Sequence, residues 1–448
     1  MVEAGPALTD AGVGAVTSDA SVLPIGSASP LVRRYETVLT EQPRRTREIV
    51  RGALVGGSGA VNGGYFCRGL PSDFDGWKLP GWAWADVLAH FRQIETDFDF
   101  AGPLHGNAGP IPVHRPDEIT ECTDDFVQRS RRAGFTWIPD LNGAADAGDD
   151  MVGIGLLPLN IADGVRVGPG TAFLQRALGR PNLTVLTRTA VRRLRISSNR
   201  VTGAEVTGPG GSVLLTADRI VLCAGAIDTA QILMLSGIGD EAVLRTSGIP
   251  RTAVAPVGMN SIDHPEWVMP TTWVTAAGRP PLETVLRTDF DVEIRPYTGG
   301  FIAMVGDGGA GAPDWPHVGV ALMQPRSRGR VTVVSDDPGV APLIEHRYDS
   351  SPTDTSDLER GSELAREVCA VASPASEPLW STSQHLCATA PMGADSDDRA
   401  VLDSQCRVRG VDGLWVIDGA ALPAITRRGP HASIVMLAHR AAGFVAAG

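Results

Sequence analysis

The stretch Arg51-Gly52-Ala53-Leu54-Val55-Gly56-Gly57-Ser58-Gly59-Ala60-Val61-Asn62-Gly63-Gly64 constrains this chain more than any other. Glycine has no Cβ, so a backbone rich in it can take positive φ and approach a flat or charged group closely. Ser58 and Asn62 add a hydroxyl and an amide able to donate to phosphate or ring oxygens. Taken alone, such a stretch is more often a turn than a ligand cradle. Its surroundings reverse that preference.

Met1-Val2-Glu3-Ala4-Gly5-Pro6 reads as the end of a strand with an acid at its tip, and in dinucleotide folds such an acid binds a ribose hydroxyl. The G-x-G-x-x-G fingerprint of those folds precedes the acid by about 20 residues, so the expectation is a chain that begins in mid-fold. Gly12-Val13-Gly14-Ala15-Val16-Thr17 imitates the fingerprint but follows the acid and lacks a third glycine; it reads as a loop. Leu183–Thr187, Ala190–Ile196 and Ala204–Thr207 read as short β units, the last before a Gly-Pro-Gly-Gly turn at 208–211. Ile220–Ala226 is a continuous apolar run ending in glycine, as expected of a buried parallel strand that delivers its end to a ligand. Thr229–Ser236 then reads as a helix whose N-terminus faces that ligand.

Composition narrows the class. With 448 residues the chain suggests two or three domain-sized units. A formal net charge of -12 argues against nucleic acid, because phosphate binding needs a basic surface. Cysteines at 67, 122, 223, 369, 387 and 406 are scattered without a C-x-x-C pair, which fits reduced thiols in a cytoplasmic enzyme, and no metal-ligand cluster is visible. No secretory signal is seen, and no apolar run approaches the roughly 20 residues that span a bilayer, which leaves peripheral contact with a membrane open.

A second set of matches carries a family resemblance. Gly225-Ala226-Ile227-Asp228-Thr229-Ala230-Gln231-Ile232-Leu233-Met234-Leu235-Ser236-Gly237-Ile238-Gly239, Arg68-Gly69 before Asp73-Phe74-Asp75, His105-Gly106 before Gly109-Pro110, Arg180-Pro181-Asn182-Leu183, and Pro256-Val257-Gly258 leading to Asp263-His264-Pro265 occur in one order. Together with the glycine loop, they resemble the glucose-methanol-choline (GMC) flavoprotein oxidoreductases, with the opening strand, glycine loop and helix absent. The resemblance implies an α/β fold: a Rossmann-like FAD-binding domain, truncated at its N-terminus and interleaved with an α+β substrate domain. Residues 1–80, 156–262 and 385–448 are assigned to the FAD domain, and 81–155 and 263–384 to the substrate domain. Within the latter, Asp307–Pro313 reads as a flexible surface connection.

The resemblance also implies a site. His385-Leu386-Cys387-Ala388-Thr389-Ala390-Pro391-Met392-Gly393 matches the family segment that opens on the catalytic histidine, although Ala388 and Ala390 replace the usual glycine and cysteine. His431, in Gly429-Pro430-His431, falls where the family has its second active-site residue. An imidazole near its reference pKa of about 6.5 can take the proton of an alcohol while a second one orients the oxygen, and a flavin takes the hydride. By the same resemblance Glu3 binds the adenosine ribose, Gly56, Gly57, Ser58, Asn62 and Gly63 contact the pyrophosphate and isoalloxazine side, and Val191 meets the adenine through its backbone. Asp418 and Ala420 contact the far end of the cofactor. Val61 stands where some members carry a flavin-linking histidine, so the FAD is expected to be noncovalent. His264 and His105 read mainly as structural turn residues, and Trp77, Trp82 and Trp84 as core or interface fillers.

Asn62–Gly69 and Asp263–Pro270 look most like the mycofactocin-associated members. That implies reduced mycofactocin (mycofactocinol) as donor and a respiratory electron acceptor; the alternative is a choline- or alcohol-dehydrogenase-type enzyme on a small alcohol. A further alternative is an inactive truncated chain or pseudoenzyme. The retained histidines favour a mis-started reading frame over that one, since a binding-only descendant has no chemical reason to hold them.

Overall fold

The computed structural model describes residues 1–447 except 147, 275, 277, 305–315 and 374–376, so the connection expected at 307–313 lies outside the described residues. Six strands form one antiparallel sheet in the order Leu379–Thr382, Pro265–Pro270, Pro316–Leu322, Val292–Gly300, Thr284–Arg287 and Gly153–Leu156. Val292-Glu293-Ile294-Arg295 alternates apolar and charged residues, and the pleat sends them to opposite faces. One face packs Val292, Ile294, Trp267, Met269 and Leu286 against Leu358, Ala365 and Val368 of the helix Pro352–Val368. Gly361 permits that approach, since a Cβ there would stand 2.7 Å from the Val320 side chain and 2.8 Å from that of Val292. The other face carries Glu266, Glu293 and Arg295, also buried. A sheet covered on both sides must pair the charges it buries.

A second sheet runs in the order Arg330–Thr332, Leu343–Glu345, Val32–Glu41, Arg44–Gly52. Leu343–Glu345 lies parallel to Val32–Glu41, with Val38 opposite Glu345. Strands from within 263–384 thus pair with the hairpin of 1–80. The helix Trp84–Ile94 likewise shares a core with Phe66, Phe74, Trp415 and Met436. In that core Trp77 meets Phe74 edge to face and Trp84 stacks on it, so these tryptophans and the buried Trp82 act as packing residues.

Four local expectations need correction. Residues 12–17 are not a loop: Val13–Ser18 is a helix, begun by Gly12 at φ 78° and held from outside, since Arg166 Nε donates to the Thr17 carbonyl. Leu183–Thr187 forms no strand; Leu186 alone bridges to Val2, in parallel, while Ala190–Ser197, Arg200–Gly208 and Gly211–Thr216 make an antiparallel meander. The parallel strand is only Ile220–Leu222, paired with Leu414–Val416, and it is not fully buried, with Val221 38% exposed. The following helix spans Gly225–Leu235 and starts earlier than expected because Asp418 accepts the Gly225 N–H. Among the described residues no helix is long and apolar enough to cross a membrane.

Candidate functional site

The glycine loop leaves the strand Arg44–Gly52 and turns sharply through Gly56 (φ 96°) and Gly57 (φ 55°) into a single 3-10 turn, Gly57–Ala60. A Cβ on Gly59 would stand 2.8 Å from His431 Cε1 and from Pro169, so the loop backbone lies directly on that imidazole. Asn62 Oδ1 accepts the Gly64 N–H at 2.9 Å, and its carbonyl accepts from Arg166 Nη1 at 2.6 Å. Arg166 is buried and also reaches the Thr17 and Val22 carbonyls. Burial lowers its pKa to about 10. No motif in the sequence marked this arginine.

The Glu3 carbonyl accepts the Thr189 N–H at 2.9 Å, two residues before Val191 of the strand Ala190–Ser197. Glu3 Oε1 accepts the Gly5 N–H, and burial raises its pKa. Asp418 is spent internally: Oδ2 accepts from Gly225 N–H and Thr229 Oγ1, and Oδ1 from Ala420 N–H. The Asp418 carboxylate and the Ala420 N–H are thus used within the protein, and the Ala420 carbonyl accepts the Ala390 N–H. Gly57 and Gly225 both take positive φ with open space where a Cβ would be, and Ser58, next to Gly57 in the chain, is exposed. The N-terminus of the helix Gly225–Leu235 is already met by Asp418, whereas Gly57 with Ser58 next to it offers the close backbone approach that suits the phosphates of a dinucleotide. These residues fit FAD.

The histidines sit where the antiparallel sheet meets the loop. The His385 N–H donates to Asp263 Oδ1 at 2.7 Å, and that oxygen also accepts the His264 N–H at 2.9 Å. Asp263 Oδ2 accepts from Tyr348 Oη and Thr382 Oγ1. This carboxylate holds both histidines in place, and their Nδ1 atoms are 2.9 Å apart with the rings near perpendicular. His264, read mainly as a turn residue, is thus in contact with His385. Gly429 lies between His385 and Tyr65: a Cβ there would be 3.5 Å from His385 Cε1 and 3.1 Å from the Tyr65 ring. His431 opens the helix His431–Ala447, lies edge-on to Phe66, and has a buried Nε2 without a hydrogen-bond partner.

Burial holds His385 well below the usual imidazole pKa, and His264, Arg295, Arg51 and His431 push it the same way. His264 falls to about 4, through burial and then Arg295. His431 falls to about 4 through burial. All three are neutral near pH 7.

The charged face of the sheet adjoins this pair, and the sequence reading passed over it. Arg295 donates through Nε and Nη2 to Glu293 Oε2, and through Nη1 to Ser383 Oγ at 2.9 Å. Glu293 Oε1 accepts from Arg428 at 2.8 Å and Tyr65 Oη at 3.1 Å. Burial alone would raise the Glu293 pKa, but Arg295 and Arg428 hold it at about 2. The signal lay in the Val292-Glu293-Ile294-Arg295 alternation, which marks a strand whose charged face must find partners if it is covered.

Elsewhere, Glu95, Asp97 and His105 bring ligand-type atoms within 4.8 Å of one another. Arg68 binds Glu95 and Arg115 binds Asp97, so the cluster is a buried ion-pair network around the expected turn residue His105. A cavity of about 580 Å³ opens beside Arg200, Arg219, Trp415 and Phe444 and is lined by none of the candidate site residues.

Comparison with known proteins places the chain in a family. The two GMC oxidoreductase family profiles match residues 11–266 and 325–438. A GMC-type oxidoreductase of Rhodococcus erythropolis is 38% identical over 96% of this chain and 89% of its own length. An oxygen-dependent choline dehydrogenase of Sinorhizobium medicae is 30% identical over 94% of this chain and 88% of its own. The crystal structure of pyridoxine 4-oxidase from Mesorbium loti superposes with a TM-score of 0.88 at 27% identity, covering 100% of this chain and 94% of that one. From the glycine loop, the two-domain fold and these matches together, the chain belongs to the GMC oxidoreductase family, FAD-dependent enzymes that act on CH–OH donors.

Proposed function

We propose that the chain oxidises an alcohol, with His385 as the base and His431 as the group that orients the alcohol oxygen. The observation that carries this is the convergence of two neutral imidazoles, His431 under Gly59 of the glycine loop and His385 across Gly429, two residues before His431. One proton is shared between the Nδ1 atoms of His264 and His385. In the tautomer where His385 donates it, His385 Nε2 carries a lone pair and can take the hydroxyl proton. Bound FAD supplies the hydride acceptor. Glu3 and Val191 would hold its adenosine end, and Gly56, Gly57, Ser58, Asn62 and Gly63 its middle. Asp418 and Ala420 would lie at its far end. Attachment is noncovalent, since Val61 offers no side chain for a bond to the flavin.

The finer reading is reduced mycofactocin as donor, with electrons passed to a respiratory acceptor. It rests on the segments Asn62–Gly69 and Asp263–Pro270. Anaerobic mixing of the FAD-loaded chain with purified mycofactocinol or with simple primary alcohols tests both levels. Bleaching of the flavin by mycofactocinol supports the finer reading, bleaching by simple alcohols alone removes it, and bleaching by neither removes the oxidation reading.

A further inference from the structure

His264 immediately precedes the strand Pro265–Pro270, and its ring is the one that His385 leans on. Among the described residues no carboxylate pairs with the His385 ring. The Asp263 oxygens accept the backbone N–H groups of His264 and His385 and the hydroxyls of Tyr348 and Thr382, and the imidazole they approach is that of His346, at 3.4 Å. What His385 Nδ1 meets instead is His264 Nδ1, at 2.9 Å with the rings near perpendicular. Of two such nitrogens one must donate and the other accept, so each ring dictates the tautomer of the other. His264 is fully buried and His385 partly exposed, which makes His385 the ring open to a ligand and His264 its support.

The far edge of the His264 ring gives the direction. Nε2 is buried without a close partner. The Thr426 backbone raises the pKa of this ring, as a carbonyl facing an imidazole N–H does. With Nδ1 taken up by His385, the N–H that faces Thr426 is the one on Nε2. Neutral His264 then keeps its lone pair on Nδ1, and neutral His385 keeps its proton there. Resting on the alcohol-oxidising reading above, we infer that His264 is a positioning residue: by accepting the Nδ1–H of His385, it fixes the tautomer that leaves His385 Nε2 free to take the hydroxyl proton. The orienting part that a carboxylate plays beside many catalytic histidines is thus filled by a neutral imidazole. It aligns the base without adding charge to hold the proton, in keeping with Arg295 and Arg51, which disfavour charge on the same ring.

NMR of the FAD-loaded full chain, with isotope-labelled histidine ring nitrogens, tests this without any substrate, because protonated and bare ring nitrogens differ in chemical shift. Comparison with His385→Ala identifies the His385 signals. His385 is expected to carry its proton on Nδ1, and a proton on Nε2 in the native chain overturns the inference. His264→Phe fills the space without an acceptor. In it the His385 proton should move to Nε2 in at least part of the population, and flavin reduction by mycofactocinol or a primary alcohol should slow by about tenfold or more, as for a buried donor left without its partner. His264→Asn, which returns an acceptor oxygen, is expected to restore the Nδ1–H and part of the rate. An unchanged tautomer and rate in a folded Phe variant, or an Asn variant no better than it, counts against the role. If the Phe variant does not fold, the native spectrum and the Asn variant decide. If the spectra come out as expected but no alcohol reduces the flavin, the positioning stands and the oxidation reading fails.

Discussion

At the residue scale, the proposed oxidation depends on imidazoles kept neutral. Replacing His385 with alanine is expected to slow flavin reduction by about 10²- to 10⁴-fold, the usual worth of a positioned base, while FAD absorbance is retained. Loss of the bound flavin in that variant would reassign His385 to the cofactor. Because burial depresses the His385 and His431 pKa values, the base stays unprotonated below the pH at which a free imidazole charges. The rate of reduction should then hold nearly level from pH 8 to about pH 5.5, rather than halving near 6.5 as an ordinary histidine would dictate. Arg166 is a different case. Its three carbonyl partners lie in separate segments, so Arg166→Met leaves them unmet and should cost about 2–4 kcal/mol by denaturant unfolding. His385 and His431 were singled out from the sequence because the flanking motifs fix their places in it. Arg166, Arg295 and Arg428 were not, because their roles depend on carbonyls and carboxylates brought together only by the tertiary fold.

At the scale of elements, the glycine loop and the helix His431–Ala447 form one unit. Gly59→Ala would drive a methyl into His431 and Pro169 at 2.8 Å. The expected result is a loss of about 1–3 kcal/mol from overpacking, together with weaker FAD retention on gel filtration. Unaltered retention would mean that the loop yields without moving His431. The same packing shows why the loop was readable and its neighbours were not. Clustered glycines announce a close approach by composition, whereas Val13–Ser18 becomes helical through an arginine far along the chain. Leu183–Thr187 has strand-like composition, yet it makes only a single bridge, Leu186 to Val2, and a few hydrogen bonds to the N-terminal residues, Thr184 accepting from Met1 among them.

For the whole molecule, stability should peak near neutrality. His264, His346 and His431 have folded pKa values near 4, through burial in each case, against about 6.5 in the unfolded chain. Their depressed values favour the folded state above pH 6.5, and that contribution is lost as pH falls from 6.5 towards 4. His105 runs the other way. Burial lowers its pKa, but Asp140 and Asp97 outweigh burial and raise it to about 9, so its contribution is full below 6.5 and fades as pH rises through 9. Urea midpoints at pH 5, 7 and 9.5 should therefore be highest at 7; a midpoint still rising at 9.5 would contradict this sign. FAD at a hundred times its dissociation constant should add about 2.7 kcal/mol and raise Tm with concentration.

The pairing of Val38 with Glu345 has a consequence in time. The hairpin Val32–Gly52 leaves the ribosome early, but its parallel neighbour is made only after most of the antiparallel sheet has been synthesised. Until then one long strand presents an unpaired backbone edge, the kind of surface that recruits other nascent chains. Slow synthesis should thus lower the soluble yield, whereas co-expressed holdase chaperones that shield open β edges should restore it.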